Sequence, residues 1–187
     1  MIKHRDFWQG QRGLNNIKPK RIGLLWESFN AIDLVVDFVG DNTVVEVGCG
    51  NGRFSQGFTP EQYVGVDLNV DAINVSRENY PKYQFNILEK YSEIPARDVM
   101  LLHSAALYVP DDEIADVFAQ AKKRIVLAET MGVRVIKDRE QPENLAYHYA
   151  RTADEYEAIL KDWKLVDTIN KRDANSGKTF TYMVFEK

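Results

Sequence analysis

The chain has 187 residues, 44% of them hydrophobic and 28% charged, with a formal net charge of −4, which describes a globular protein able to bury its own core. No apolar run approaches the roughly 20 residues that span a bilayer, no basic start leads into an apolar segment, and Lys18–Arg21 and Lys122–Arg124 are the only basic clusters, so neither membrane, signal peptide nor nucleic-acid partner is expected. The lone Cys49 cannot form an internal disulfide, and His4, His103 and His148 lack metal-ligand spacing, so the expected setting is cytoplasmic and metal-free.

Residues 1–16 read as an arm, and 17–39 as one or two helices. Residues 44–52, Val-Val-Glu-Val-Gly-Cys-Gly-Asn-Gly, are a run of β-branched residues entering a turn with glycine at every second position. A second strand, 63–67, ends in Asp67. Asn69 to Tyr80 begins with cap-type residues, places Val70, Ile73 and Tyr80 on one side and stops at Pro81, which predicts a helix. Short strands follow at 83–87 and 99–103, the second apolar throughout and hence buried on both faces. Acids at the start and bases at the end of 111–123 predict another helix, followed by a strand at 124–129. Residues 131–149 form the one long irregular stretch; loops of that length in compact domains usually serve function. Thr152-Ala-Asp-Glu155 is a candidate capping box for a helix over 152–163. Strand patterns at 164–170 and 179–185, separated by the turn Asn175-Ser-Gly177, predict a terminal hairpin.

A strand, a glycine turn, a second strand and then an acid describe a nucleoside site, because the terminal carboxylate can accept both hydroxyls of a ribose. The dinucleotide fingerprint Gly-x-Gly-x-x-Gly does not fit: counting from Gly48 its third glycine falls on Arg53, and counting from Gly50 it falls on Ser55. Glu46-Val-Gly-Cys-Gly-Asn-Gly52 followed by Gly65-Val-Asp67 closely resembles the first two motifs of class I S-adenosylmethionine-dependent methyltransferases. The resemblance covers about residues 31–187. It implies an α/β, Rossmann-like sheet of seven strands, mostly parallel, closed by a C-terminal antiparallel hairpin and flanked by helices. The expected organisation is a single domain over 1–187, with 1–30 as an N-terminal arm and helix.

The resemblance also implies roles. Gly48 and Gly50 let backbone pass against the methionine and ribose of S-adenosylmethionine, and Glu46 helps hold the methionine through the loop. Asp67 grips the ribose hydroxyls, and Leu68 lies against the adenine. Gln84-Phe85-Asn86-Ile87-Leu88 is similar to the family's third landmark, with Asn86 where an aspartate commonly faces the adenine amino group; asparagine keeps an acceptor but loses the charge. Ile87 belongs to the same strand end.

His103 closes the fourth strand and is the general-base candidate, its ordinary pKa of about 6.5 suiting proton transfer. Equally, its backbone can touch the cofactor while its ring packs. Tyr108 either lines the pocket or seals a loop. Tyr147, His148 and Arg151 end the long irregular stretch; aromatic rings beside a histidine and an arginine suit a flat, partly anionic acceptor, or else the aromatics dock a cap onto the core and Arg151 pairs with Asp154 or Glu155. Arg12, in the aromatic arm segment 7–12, either reaches the cofactor's carboxylate from a lid or belongs to a disordered tail. The expected activity is methyl transfer from S-adenosylmethionine to oxygen or nitrogen of a small molecule. A protein or peptide methyltransferase and a non-catalytic cofactor-binding module are the alternatives. The Asn/Asp-Pro-Pro-aromatic motif of amino-methylating DNA enzymes is replaced here by His103-Ser-Ala-Ala-Leu107.

Overall fold

The apolar runs at 44–47, 63–67, 99–103 and 124–129 become buried strands with both faces covered, and with three less fully buried strands they build one mixed sheet. The computed structural model describes residues 29–130, 149, 151–175 and 177–187. In chain order the described elements are helix α1 (Ala31–Val39), strands β1 (Val44–Val47) and β2 (Tyr63–Asp67), helix α2 (Val70–Asn79), and strands β3 (Gln84–Ile87) and β4 (Val99–His103). Helix α3 (Ile114–Phe118), strand β5 (Arg124–Glu129), helix α4 (Ala153–Ile159) and strands β6 (Lys164–Arg172) and β7 (Thr179–Glu186) complete the set. The seven strands lie in the order β3-β2-β1-β4-β5-β7-β6. β1 to β5 pair in parallel, and β7 enters antiparallel between β5 and β6. This is the predicted mostly parallel sheet with a terminal hairpin. Its connection is the predicted turn: Gly177 takes a left-handed φ of 69°, and its N–H reaches the Asp173 carbonyl at 2.7 Å.

Alternation along each strand splits the core into two layers. Val44, Leu101, Val126 and Tyr182 face α1 and α2, packing with Ala31, Val35 and Ile73. Val45, Met100, Leu102, Leu127 and Met183 face α3 and α4, packing with Ile114, Val117 and Tyr156. Strand order reverses between β1 and β4, so the carboxyl ends of β1, β2 and β4 border the crevice where open α/β sheets bind ligands.

Three expectations about helices change. In α2 the buried residues are Ala72, Ile73 and Ser76, while Val70 is exposed, because the helix sits with its Asn69-capped start at the rim. The helix expected over 111–123 shrinks to Ile114–Phe118. Pro110 opens a turn ahead of it, its carbonyl taking the N–H groups of Glu113 and Ile114. Beyond it, Lys122 and Lys123 give their N–H groups to Arg97 and Asp98, which pulls the basic end away from the helix. The helix expected over 152–163 forms as Ala153–Ile159, with the capping box in place between Thr152 and Glu155. Residues 1–28 and 131–148, with Arg12, Tyr147 and His148 among them, lie outside the described residues.

Candidate functional site

The glycine turn is built by conformations that only glycine adopts cheaply. Gly48 and Gly50 have φ of 76° and 54°, in the left-handed region. Gly48 also has no room for a side chain: a Cβ there would stand 2.7 Å from the Cβ of Ala105, just after β4. The ends of β1 and β4 therefore touch through a glycine.

Asp67 ties the second strand to this turn. Its Oδ2 accepts the Gly50 N–H at 2.8 Å, and its Oδ1 accepts the Asn69 N–H at 2.9 Å. Asn69 in turn caps α2 by accepting the Ala72 N–H at 2.8 Å. Ser76, nearly two turns into α2, places its hydroxyl 2.8 Å from the Gly50 carbonyl, so the Gly50 residue is held at its N–H and its C=O. Burial pushes the Asp67 carboxyl up, while the N–H bonds from Asn69, Gly50 and Leu68 oppose that shift.

Glu46 is buried on β1, and its Oε2 accepts the hydroxyl hydrogen of Tyr63 on β2. Burial pushes its pKa up to about 8, against the Tyr63 bond and the nearby Arg53 charge. Cys49 is buried inside the turn with its thiol pushed up by the same desolvation, which makes it a packing residue. Leu68 is buried beside Asp67, and β3 pairs Asn86 with Val66 and Ile87 with Asp67. Ile87 stays 39% exposed, leaving an apolar surface at the strand end next to the acid. The structure thus brings together Glu46, Gly48, Gly50, Asp67, Leu68, Asn86 and Ile87 at adjacent strand ends.

His103 closes β4 on the α1 side. Its ring stacks on Phe180 at 5.5 Å, lies 4.8 Å from Phe54, and has Nε2 3.1 Å from the Tyr182 hydroxyl. Aromatic enclosure and a hydrogen bond fix the imidazole plane. Next to it Ser104 takes a left-handed φ of 54°, the only non-glycine among the described residues to do so. Such strain clusters where function depends on a particular loop shape.

Arg151 departs from its expected role. Its guanidinium is buried, with Nε and Nη2 bonding Asp111 Oδ1 at 3.0 and 2.7 Å. Nη1 donates to the Ala106 carbonyl at 3.0 Å and Nη2 to that of Val109 at 2.8 Å. These bonds occupy the fork that was expected to grip an anionic acceptor. Tyr108 is half-buried, and its phenol is pushed up to about 12 by desolvation and by the charge of Glu129.

Glu129, at the end of β5, was not singled out in the sequence. It is buried, its Oε1 accepts the N–H groups of Ala105 and Ala106 at 3.0 and 2.8 Å, and its Oε2 has no hydrogen-bond partner among the described residues. Burial raises its pKa to about 8, opposed by those N–H groups and by Arg151. An acid closing the otherwise apolar Ile125-Val-Leu-Ala-Glu129 was the signal, the same one that marked Asp67. Tyr63 and Ser76 were missed because nothing local distinguishes them.

Residues 45–125 match the family model described as a methyltransferase domain. No curated protein sequence matches the chain. Among solved structures, magnesium protoporphyrin IX methyltransferase from Synechocystis, with S-adenosylhomocysteine bound, superposes with a TM-score of 0.72 at 13% identity, over 98% of this chain and 97% of that one. A methyltransferase from Anabaena variabilis, described as S-adenosylmethionine-dependent, gives 0.69 at 16% identity, over 100% and 96%. The 1,6-didemethyltoxoflavin-N1-methyltransferase of Burkholderia thailandensis, holding its namesake compound and S-adenosylhomocysteine, gives 0.67 at 16%, over 100% and 87%. At such identities the likeness is one of fold.

Proposed function

We propose that the chain is a class I, Rossmann-like S-adenosylmethionine-dependent methyltransferase that methylates oxygen or nitrogen of a small-molecule acceptor, a reading supported by the methyltransferase-domain match and by the shared fold. The observation that carries the donor half is Asp67. A carboxylate offers about four acceptor sites. The Gly50 and Asn69 N–H groups each take a site on one oxygen of Asp67 and the Leu68 N–H approaches the same carboxylate, and in this reading its remaining acceptor capacity meets the hydroxyls of a vicinal diol. The exposed Ile87 and the neighbouring Leu68 suit a flat base, and the side-chain-free turn at Gly48 and Gly50 suits close approach by the rest of the nucleoside. In this reading Glu46 acts through the loop, and Asn86 offers an amide oxygen to the base.

Bound S-adenosylmethionine supplies a methyl group already activated by sulfonium, so the protein's part is alignment and removal of the acceptor's proton. Alignment of this kind contributes up to roughly 7–11 kcal/mol in favourable cases. His103 is the base in this reading. In the tautomer this reading uses, Nε2–H donates to the tyrosine oxygen and Nδ1 carries the ring's basic lone pair. Tyr182 would also steady the imidazolium once Nδ1 is protonated. A small acceptor is supported by the lack of broad basic surface in the sequence, and by magnesium protoporphyrin IX and 1,6-didemethyltoxoflavin, the ring compounds named for two fold neighbours. Tyr108, in the turn just after β4, is assigned to the acceptor in this reading.

The test is incubation of the protein with S-adenosylmethionine and panels of small hydroxyl and amine acceptors, following S-adenosylhomocysteine. Turnover with a member of the panel is expected. Turnover with peptides alone would move the acceptor to the protein class, and binding without turnover on any panel would make the chain a binding module.

A further inference from the structure

A buried acid and a buried guanidinium hold the same short piece of backbone, one through its N–H groups and the other through its carbonyls. Ser104 to Val109 leaves β4 and includes the 3-10 turn Ala106–Tyr108. Its first donors, the N–H groups of Ala105 and Ala106, go to Oε1 of Glu129. Its carbonyls at Ala106 and Val109 go to the guanidinium of Arg151. Ala106 is therefore fixed at both its N–H and its C=O. Arg151 is anchored in turn by Asp111, whose side chain is largely exposed. Ser104 pays for this arrangement with its left-handed backbone.

The consequence falls on Ala105. Its Cβ is the atom that leaves Gly48 no room for a side chain, so the held loop forms the wall opposite the glycine turn. Glu129 itself is buried beneath that loop and acts through it.

We propose that Glu129, working with Arg151 across the Ala105–Val109 backbone, is a positioning residue that sets the distance between the β4 loop and the glycine turn, and so governs affinity for the nucleoside cofactor. This rests on the proposed cofactor reading. It predicts that loss of the Glu129 acceptor loosens Ala105 and Ala106 and weakens cofactor binding, beyond what a comparable loss of stability does.

The full chain is tested in two ways: amide hydrogen exchange without ligand, and calorimetric titration with S-adenosylhomocysteine. Glu129→Ala is expected to speed exchange at Ala105 and Ala106 selectively and to raise the dissociation constant about tenfold or more. Glu129→Gln keeps an acceptor oxygen in place and is expected to restore both to within about threefold. Leu127→Ala, a core truncation in the same strand, supplies the control: it should lower the melting temperature without selective exchange at Ala105 and Ala106. Glu129→Asp withdraws the carboxylate by one methylene and serves as the second arm should Glu129→Ala not fold; it is expected to shift both readouts in the same direction as Glu129→Ala. Folded Glu129→Ala or Glu129→Asp with protected Ala105 and Ala106 and unchanged affinity overturns the positioning role, as does Leu127→Ala reproducing both effects. A wild-type chain that binds no S-adenosylhomocysteine overturns the cofactor reading instead, an outcome distinct from wild-type binding with an indifferent Glu129.

Discussion

Asp67 shapes the glycine turn through its bonds to the Gly50 and Asn69 N–H groups, and in the proposed reading the same carboxylate also accepts from the ribose. Asp67→Ala should weaken binding of S-adenosylmethionine by about 1.5–3 kcal/mol, the range for hydrogen bonds to a charged group. Calorimetry would read this as roughly a ten- to hundredfold rise in dissociation constant. Unchanged affinity in a folded variant would remove the diol reading. At Gly48 the argument is steric and conformational together, since a left-handed φ and an Ala105 contact of 2.7 Å both oppose a Cβ. Gly48→Ala should cost about 1–3 kcal/mol of stability and abolish cofactor binding, checked by thermal melts beside titration. His103 is the residue whose role kinetics must separate from packing. As base, it predicts a fall in turnover of about 10²–10⁴-fold for His103→Ala with cofactor affinity nearly intact. A loss of affinity or fold with turnover preserved would return the imidazole to its aromatic cage.

At the scale of elements, the segment leading into α4 is a buried charge followed by a helix cap. Thr152 and Glu155 satisfy each other's backbone N–H groups at the start of α4, while Arg151 reaches back to the β4 loop. The two adjacent residues should therefore respond differently to truncation. Thr152→Ala removes a cap and should cost about 1 kcal/mol. Arg151→Ala leaves the Ala106 and Val109 carbonyls without their buried donor and should cost about 2 kcal/mol or more, from about 1–3 kcal/mol for each buried acceptor left unsatisfied. Denaturant melts on both variants would order them. A normal melt for Arg151→Ala joined to a raised Michaelis constant for an acceptor would restore the anion-gripping role that its geometry argues against.

Across the whole molecule, the carboxyl ends of the sheet gather acids that burial keeps protonated. Glu46 and Glu129 each have a folded-state pKa near 8 against an ordinary 4.5. The folded protein then holds more protons than the unfolded chain between those values, so stability falls as pH rises through this window. Each group contributes fully below about pH 4.5 and loses its contribution at about 1.4 kcal/mol per pH unit up to about pH 8. Asp67, also raised by burial, adds in the same direction. Asp98, held low chiefly by its bonds with Lys123 and Thr43, acts only at more acid pH, where its contribution is lost as pH falls. Urea midpoints of the unliganded chain should decline from pH 5 to pH 8, and a flat or rising profile would mean the two glutamates ionise freely in the folded state.

Most of the fold was readable because its signals are local. Apolar runs of strand length, glycine at the turn, Asn69 and Thr152 at helix starts, and an acid at the end of β2 each act within a few residues of themselves. The ends of the helix expected over 111–123 were not readable, since backbone N–H groups there are claimed by Arg97 and Asp98, residues apart in sequence but adjacent across the fold. The site divided along the same line. Sequence by itself determined which residues stand at the carboxyl ends of β1, β2 and β3, because strand period and glycine conformation fix them. Only tertiary structure decided that Tyr63 covers Glu46, that Tyr182 orients His103, and that Glu129 and Arg151 meet across one loop. Those partners are chosen by which strands lie side by side and by the cost of leaving a buried polar group unpaired, and neither is written in the order of the residues.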